Sequence, residues 1–117
     1  MVAHDQDYCF IISLALTEGP VSVSALVGEN ALFHCAGSGI TIQWIADGIY
    51  VTNTDPVIVD RGITESQSLS SGIVQSTLTV PATLVNNGTT VQCIVFPGSV
   101  TSNNATLTVL SGKSKNS

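Results

Sequence analysis

The most informative part of the chain reads Gly28-Glu-Asn-Ala-Leu-Phe-His-Cys-Ala-Gly-Ser-Gly-Ile-Thr-Ile-Gln-Trp44 and contains its only tryptophan. Successive side chains of a β-strand point to opposite faces. Ala31, Phe33 and Cys35 are therefore predicted to share the inward face of one strand. The same alternation places Ile40, Ile42 and Trp44 on one face of the next strand. The stretch predicts two strands that each bury one side.

The same alternation continues toward the C-terminus. Leu78 and Val80 occupy alternate positions in Gln75–Val80 and are predicted to share one strand face. Val91, Cys93 and Val95 do the same in Thr90–Phe96. Short alternating runs separated by turn signals, without a helical period, favour an antiparallel β-sandwich. The predicted core includes Phe33, Trp44, Leu78 and Val91. Residues 53–74 are the least regular segment, and within it Val57–Val59 is assigned to a brief strand.

Size and charge narrow the functional classes. The 117 residues suit one domain, and the formal net charge is −5. Apart from Lys113 and Lys115 near the C-terminus, the only cation is Arg61. Nucleic-acid binding needs clustered Lys and Arg, so we expect no nucleic-acid partner. No stretch reaches the ~20 apolar residues of a membrane span, so we expect no membrane insertion by this segment.

The two ends differ from the body of the chain. Residues 1–17 are interpreted as an N-terminal extension, with Cys9–Leu16 as a first strand. That run also has about the length of a signal-peptide core, but His4-Asp-Gln-Asp7 precedes it where a signal carries Lys or Arg. Residues 18–110 are assigned to the domain, and 111–117 to a flexible tail or linker.

Over roughly residues 18–110 the chain resembles the immunoglobulin superfamily. Gly28–Cys35 is similar to the family's entry into its first cysteine strand, Trp44 to its core tryptophan, and Leu78–Cys93 keeps its spacing. The resemblance implies an all-β, immunoglobulin-like antiparallel sandwich of the variable or intermediate type. It also implies one inter-sheet disulfide between Cys35 and Cys93, packed against Trp44.

The chain departs from the family before the second cysteine. Asn87, Thr89 and Val91 stand where the family commonly has Asp, Gly and Tyr. The tyrosine corner is therefore missing, and Arg61 lacks its usual aspartate partner. We expect asparagine side chains and the packing of Val91 to hold this turn instead. The absence of Phe-Gly-x-Gly after Cys93 argues against an antigen-receptor variable domain.

Two sequence motifs and one cysteine are candidates for covalent chemistry. Asn87-Gly-Thr89 and Asn104-Ala-Thr106 fit the N-glycosylation pattern, and their alternative interpretations are a plain turn and a plain edge residue. Cys9 is the odd cysteine. It is interpreted as a half-buried thiol on the first strand, with an interchain disulfide as the alternative.

No residue pattern predicts catalysis, a metal site or a cofactor. His4 with Asp5 and Asp7 lacks the converging geometry of a metal site, and His34 has outward parity. Gly37-Ser-Gly39 does not open a helix, so it does not predict a phosphate site. No histidine, serine and acid are arranged as in a hydrolase. We therefore expect a protein that is not an enzyme.

The outward faces of two strands give the strongest functional prediction. If Trp44 and Cys93 point inward, Gln43 and Ile45 point outward on one strand, and Gln92, Ile94 and Phe96 do so on the other. The resemblance makes these strands neighbours. Exposed apolar groups among polar ones favour a protein interface. The alternatives are scattered surface residues or cover by residues 53–74. Asn104 has outward parity on the adjoining strand, so a glycan there would crowd the same face.

These observations favour an extracellular recognition or adhesion module that binds a protein partner or a second copy of itself. The resemblance implies the ectodomain of a cell-surface receptor, with a receptor tyrosine kinase as one candidate, or of an adhesion molecule. The alternatives are a secreted soluble factor in immunity or self-recognition, and a structural spacer domain.

Overall fold

The computed structural model describes residues 16–111, which form nine strands and one short α-helix. The strands are β1 (Val23–Leu26), β2 (Asn30–Ser38), β3 (Thr41–Ala46), β4 (Ile49–Tyr50), β5 (Thr64–Ser70), β6 (Ile73–Pro81), β7 (Thr90–Phe96), β8 (Val100–Thr101) and β9 (Ala105–Leu110). Helix α1 (Pro56–Arg61) joins β4 to β5, and a 3-10 turn, Leu84–Asn86, joins β6 to β7. The predicted all-β class is confirmed.

The strands form two sheets packed face to face. The larger sheet has the order β1-β9-β7-β3-β4, with β8 paired to β7, and the smaller has the order β2-β6-β5. β1 pairs with β9 in parallel, while the other ladders are antiparallel. The predicted sandwich is therefore confirmed.

The chain enters this sandwich by touching both sheets in turn. Thr17 N donates to Ala36 O at 2.9 Å, and Ala36 N donates to Glu18 O at 2.9 Å, which attaches this segment to β2. After Pro20 the chain crosses to the larger sheet as β1. Of the predicted first strand, Cys9–Leu16, only Leu16 lies within the described residues, and it packs against the core.

The centre of the core is the pair of cysteines with the tryptophan beside them. Cys35 and Cys93 form a disulfide between the sheets, and Trp44 lies directly opposite Cys93 in the β3–β7 ladder. Trp44, Phe33, Leu78 and Val91 are each at most 1% exposed. Residues at alternate positions on both sheets therefore meet in one apolar layer.

A buried indole N–H needs a hydrogen-bond acceptor. Trp44 Nε1 donates to Ser76 Oγ at 2.8 Å. Ser76, itself buried on β6, donates to Ser66 O at 2.8 Å on β5. The tryptophan is thus bonded to β6 directly and linked to β5 through Ser76.

Two sequence-based assignments are wrong. Val57–Val59 lies in α1 and not in a strand, because Asp55 Oδ1 accepts from Val57 N and Ile58 N and Pro56 occupies the first turn. These are helix-start signals, and they override the β preference of the valines. Ile40 does not share the buried face of Trp44, since it precedes β3 and is 67% exposed. The irregular segment 53–74 also contains β5, which was not predicted.

The turn without a tyrosine corner is held as expected. Asn86 Nδ2 donates to Pro81 O at 2.8 Å and Arg61 O at 3.1 Å, and Asn87 Oδ1 accepts from Val109 N at 2.8 Å. Val91 is fully buried. The buried amide of Asn86, the exposed amide of Asn87 and the packing of Val91 therefore hold the turn, and this expectation is confirmed.

Candidate interaction face

The outward side of the larger sheet brings the five predicted interface residues together. In the β3–β7 ladder Gln43 pairs with Ile94, Ile45 with Gln92, and Thr41 with Phe96. The glutamines, Ile45, Ile94 and Phe96 are all half-buried. They therefore form one surface over two neighbouring strands, although each is less exposed than parity alone suggested.

The two glutamines are fixed by bonds to backbone groups. Gln43 Nε2 donates to Trp44 O at 3.0 Å and to Val51 O at 3.1 Å. Gln92 Nε2 donates to Ser102 O at 3.3 Å. Both side chains are held in place along the sheet, which lowers the entropy cost of ordering them in a contact. β5, the strand within 53–74, belongs to the opposite sheet, so it does not cover this surface.

Tyr50 enlarges this surface and was missed by the sequence analysis. It pairs with Ile45 across the β3–β4 hairpin and is 59% exposed. The turn Ala46-Asp47-Gly48 could have revealed it, because a tight hairpin fixes which residues lie opposite one another. We call Gln43, Ile45, Tyr50, Gln92, Ile94 and Phe96 together the uncharged face.

The name reflects the absence of charged residues from all strands of the larger sheet. None of its six strands contains Asp, Glu, Lys, Arg or His. The Asp, Glu and Arg residues of the described part lie in connecting segments, in α1, in the segment before β1 or on β5, and His34 lies on β2. Burying charged groups costs far more than burying amides that keep a partner. This face can therefore lose its water at comparatively low cost.

The two glycosylation motifs lie in different surroundings. Asn104 is exposed and directly precedes β9, whose Ala105 pairs with Val91, so it stands beside β7 at the margin of the uncharged face. Asn87 is exposed at the end of the 3-10 turn. Thr89 of the same motif is buried and donates its hydroxyl to Asn86 O at 2.7 Å. The Asn104 motif is thus the one placed to affect contacts of the face.

The remaining predicted features are placed as follows. His34 is exposed, with Nδ1 3.1 Å from Thr77 Oγ1, in a shallow depression of 180 Å³ on the smaller sheet. Cys9, His4, Asp5 and Asp7 lie outside the described residues. Within 16–111 no three His, Cys, Asp or Glu side chains gather as metal ligands. No helix in that range has the length and apolar character to cross a bilayer.

Arg61 has a partner that the sequence did not indicate. Its Nη1 lies 2.7 Å from Asp47 Oδ2 in the β3–β4 turn. Asp47 Oδ1 also accepts from Thr90 N at 2.9 Å. The ion pair that the family builds with an aspartate before the second cysteine is thus replaced by one with a different element.

Comparison with solved structures finds the same architecture elsewhere. The N-terminal Ig1-2 module of the Drosophila receptor protein tyrosine phosphatase DLAR matches with a TM-score of 0.60 and 24% identity, over 84% of this chain and 49% of that one. The first domain of Duf (Kirre) matches with a TM-score of 0.57 and 22% identity, over 82% and 95%. The BTLA ectodomain matches with a TM-score of 0.57 and 19% identity, over 83% of this chain and 98% of that one.

These similarities concern the fold, since all the identities are below one quarter. The chain spans about half the length of the DLAR module. No protein-family model matches the sequence, and no curated protein does. The structural disulfide between Cys35 and Cys93 fits an extracellular location. The sheet order, the disulfide beneath Trp44 and these neighbours show that the chain adopts an immunoglobulin-like fold.

Proposed function

We propose that this domain is a recognition or adhesion module of a cell-surface protein, and that its uncharged face binds a second copy of the same domain. The observation that carries the proposal is a sheet of six uncharged strands with apolar and amide side chains on its outer side. Neighbours that are receptor and other ectodomains support the general role.

The distribution of charge leaves the uncharged face as the surface on which a second copy can bind. The chain has a net charge of −5, so two copies repel one another over most of their surfaces. A two-fold contact places each patch against itself. The uncharged face is the broad surface on which such a contact brings no like charges together. Gln43 has both amide hydrogens engaged and can accept at Oε1, whereas Gln92 keeps one amide hydrogen to donate, so the two glutamines suit pairing between copies.

Sedimentation analysis of the wild type and of Ile94→Asp tests this proposal. We expect a dimer in the wild type. In Ile94→Asp we expect the dissociation constant of the dimer to rise by about tenfold or more, because the contact would bring the new carboxylates of the two copies together. Tyr50→Asp, at a more exposed position, serves if Ile94→Asp does not fold. Leu32→Asp is the matched control, since Leu32 is 48% exposed on the opposite sheet. A monomeric wild type, or equal losses in all three variants, would refute self-association through this face.

We also propose N-linked glycans at Asn87 and Asn104, with the Asn104 glycan limiting the dimer. Both side chains are exposed, and Asn104 stands at the margin of the uncharged face. The domain should be secreted from eukaryotic cells and its mass compared before and after enzymatic deglycosylation. Asn104→Gln should strengthen the dimer, whereas Asn87→Gln should leave it unchanged. A mass that deglycosylation does not alter would refute the proposal.

A further inference from the structure

A cleft at the side of the sandwich borders the uncharged face at Val51, whose carbonyl oxygen accepts from Gln43 Nε2. It has a volume of 410 Å³ and lies where β4 ends and β5 begins, with the lining residues Val51, Thr52, Asn53, Ile63, Thr64 and Glu65. Ligand pockets commonly occupy about 300–1,000 Å³, so the space suits a side chain or a small molecule. None of these residues belongs to the uncharged face.

Glu65 gives the cleft its charge. Its Oε1 accepts from Gln67 Nε2 at 3.2 Å and lies 3.1 Å from Ser76 Oγ, whose single proton is shared between Glu65 and Ser66 O. Arg61, the only Lys or Arg within residues 16–111, is already paired with Asp47. The carboxylate therefore has polar partners but no cation in the described part of the chain.

The walls of the cleft add an apolar floor and neutral donors. Val51 and Ile63 are buried core residues that reach its surface, and Thr52, Asn53 and Thr64 supply hydroxyl and amide groups. An aliphatic stem that ends in a positive charge matches this combination, because the stem covers the apolar floor while the head meets the carboxylate.

The bonds of Glu65 favour an ammonium over a guanidinium group. A guanidinium binds best as a fork across both oxygens of a carboxylate. Here Oε1 already accepts from Gln67 and shares the proton of Ser76 with Ser66 O, which leaves Oε2 as the oxygen open to a ligand. A compact point charge needs only that one oxygen. We propose that the cleft binds an alkylammonium group, presented by a lysine side chain of a partner protein.

The site has a built-in reporter. Ser76 Oγ, which donates toward Glu65 Oε1, also accepts the indole N–H of Trp44 at 2.8 Å. A cation at Glu65 draws electron density from the acceptor and so alters the bond that Ser76 makes to the indole. Because the chain has a single tryptophan, one indole N–H resonance reports on occupancy.

The test is a titration of the isotope-labelled chain with Nα-acetyl-lysine amide, followed by NMR. We expect saturable shifts of the Trp44 indole N–H and of the amides of Val51, Ile63 and Glu65. Nα-acetyl-norleucine amide, which has a similar stem without the ammonium, is the matched probe and should produce no saturable shift. Equal shifts with both probes, or none with the lysine probe, would overturn the proposal.

Two charge-neutralising variants complete the design. Glu65→Gln keeps an acceptor oxygen for Ser76 and Gln67 but removes the charge, and it should weaken binding by about tenfold or more. Asp60→Asn removes an equal charge from an exposed position on α1 and should leave the affinity within about twofold. Equal losses in both would indicate general attraction to an acidic protein and would overturn a specific site.

The chain has two lysines of its own, Lys113 and Lys115, which could compete with the probe. The titration is therefore repeated with both changed to Gln. If the lysine probe binds this double variant as tightly as the wild type, or more tightly, the cleft is supported as the site. Loss of binding would overturn the proposal.

Discussion

Asp47 joins three parts of the chain through one side chain. Its Oδ1 accepts from Thr90 N, its Oδ2 pairs with Arg61, and its own N–H donates to Thr90 O at 2.8 Å. Its φ of 50° is left-handed, a conformation that Asp and Asn tolerate better than other residues with a Cβ. The β3–β4 turn is thus fixed to the start of β7 and to the end of α1.

Substitution of Asp47 should separate these contributions. Asp47→Asn keeps the acceptor and the tolerated backbone conformation and loses only a partly exposed ion pair, which is worth at most about 1 kcal/mol. Asp47→Ala loses the acceptor as well and should cost about 1–3 kcal/mol more in unfolding free energy. Urea unfolding of both variants measures the difference. Equal losses would show that the charge pair dominates.

Features set within a single strand could be predicted from the sequence, whereas contacts between residues far apart along the chain could not. The burial of Phe33, Cys35, Trp44 and Cys93 could be predicted, because parity within one strand fixes it. The Arg61–Asp47 pair and the Glu65 cleft could not, because they depend on how α1 and β5 lie against β3. Alternation carries no information about such placements.

At the level of elements, the approach of β7 to the residues before β3 leaves no room for a side chain at Gly39. An added Cβ would collide with Phe96 O and lie 2.9 Å from Val95 Cγ1. Gly39 N also donates to Gly72 O at 3.1 Å, and Ile40 N donates to Phe96 O at 2.9 Å. The glycine therefore lets the two sheets meet at this corner.

Gly39→Ala should force these backbones apart, with a cost of about 1–3 kcal/mol typical of overpacking. Gly98→Ala is the matched control, since the nearest atom to its added Cβ is Val100 Cγ2 at an ordinary 3.6 Å. Thermal and denaturant unfolding of both variants provides the comparison. A Gly39→Ala protein as stable as the Gly98→Ala protein would contradict the close approach.

The edge of β3 shows how a side chain can substitute for a missing strand. β4 pairs only with Ile45 and Ala46, which leaves the earlier part of β3 without a strand neighbour on that side. Ile42 N donates to Gln67 Oε1 at 3.0 Å, and Gln67 Nε2 donates to Ile42 O at 2.6 Å. An amide side chain thus satisfies both backbone groups of an edge that could otherwise pair with another chain. The sequence did not indicate this, because Gln67 lies in the segment without alternation.

At the scale of the whole molecule, the disulfide joins residues separated by 58 positions. Loss of that cross-link through Cys35→Ala with Cys93→Ala should lower the unfolding free energy by about 4 kcal/mol in the chain-entropy model. Denaturant unfolding followed by the fluorescence of Trp44 measures the loss. Wild-type protein that has been unfolded, reduced and refolded should show a denaturation midpoint lowered by about as much as in the double variant. A loss below about 1 kcal/mol would contradict the assigned role.

The parallel pairing of β1 with β9 has a mechanical consequence. A pull on the two ends of the domain draws these strands in opposite directions along their own axes. The four residue pairs between them are then loaded in shear and share the force, instead of opening one after another. If they part, the bond between Cys35 and Cys93 still keeps the intervening chain from lengthening. Extension under load is confined to the segments before the first of these cysteines and after the second.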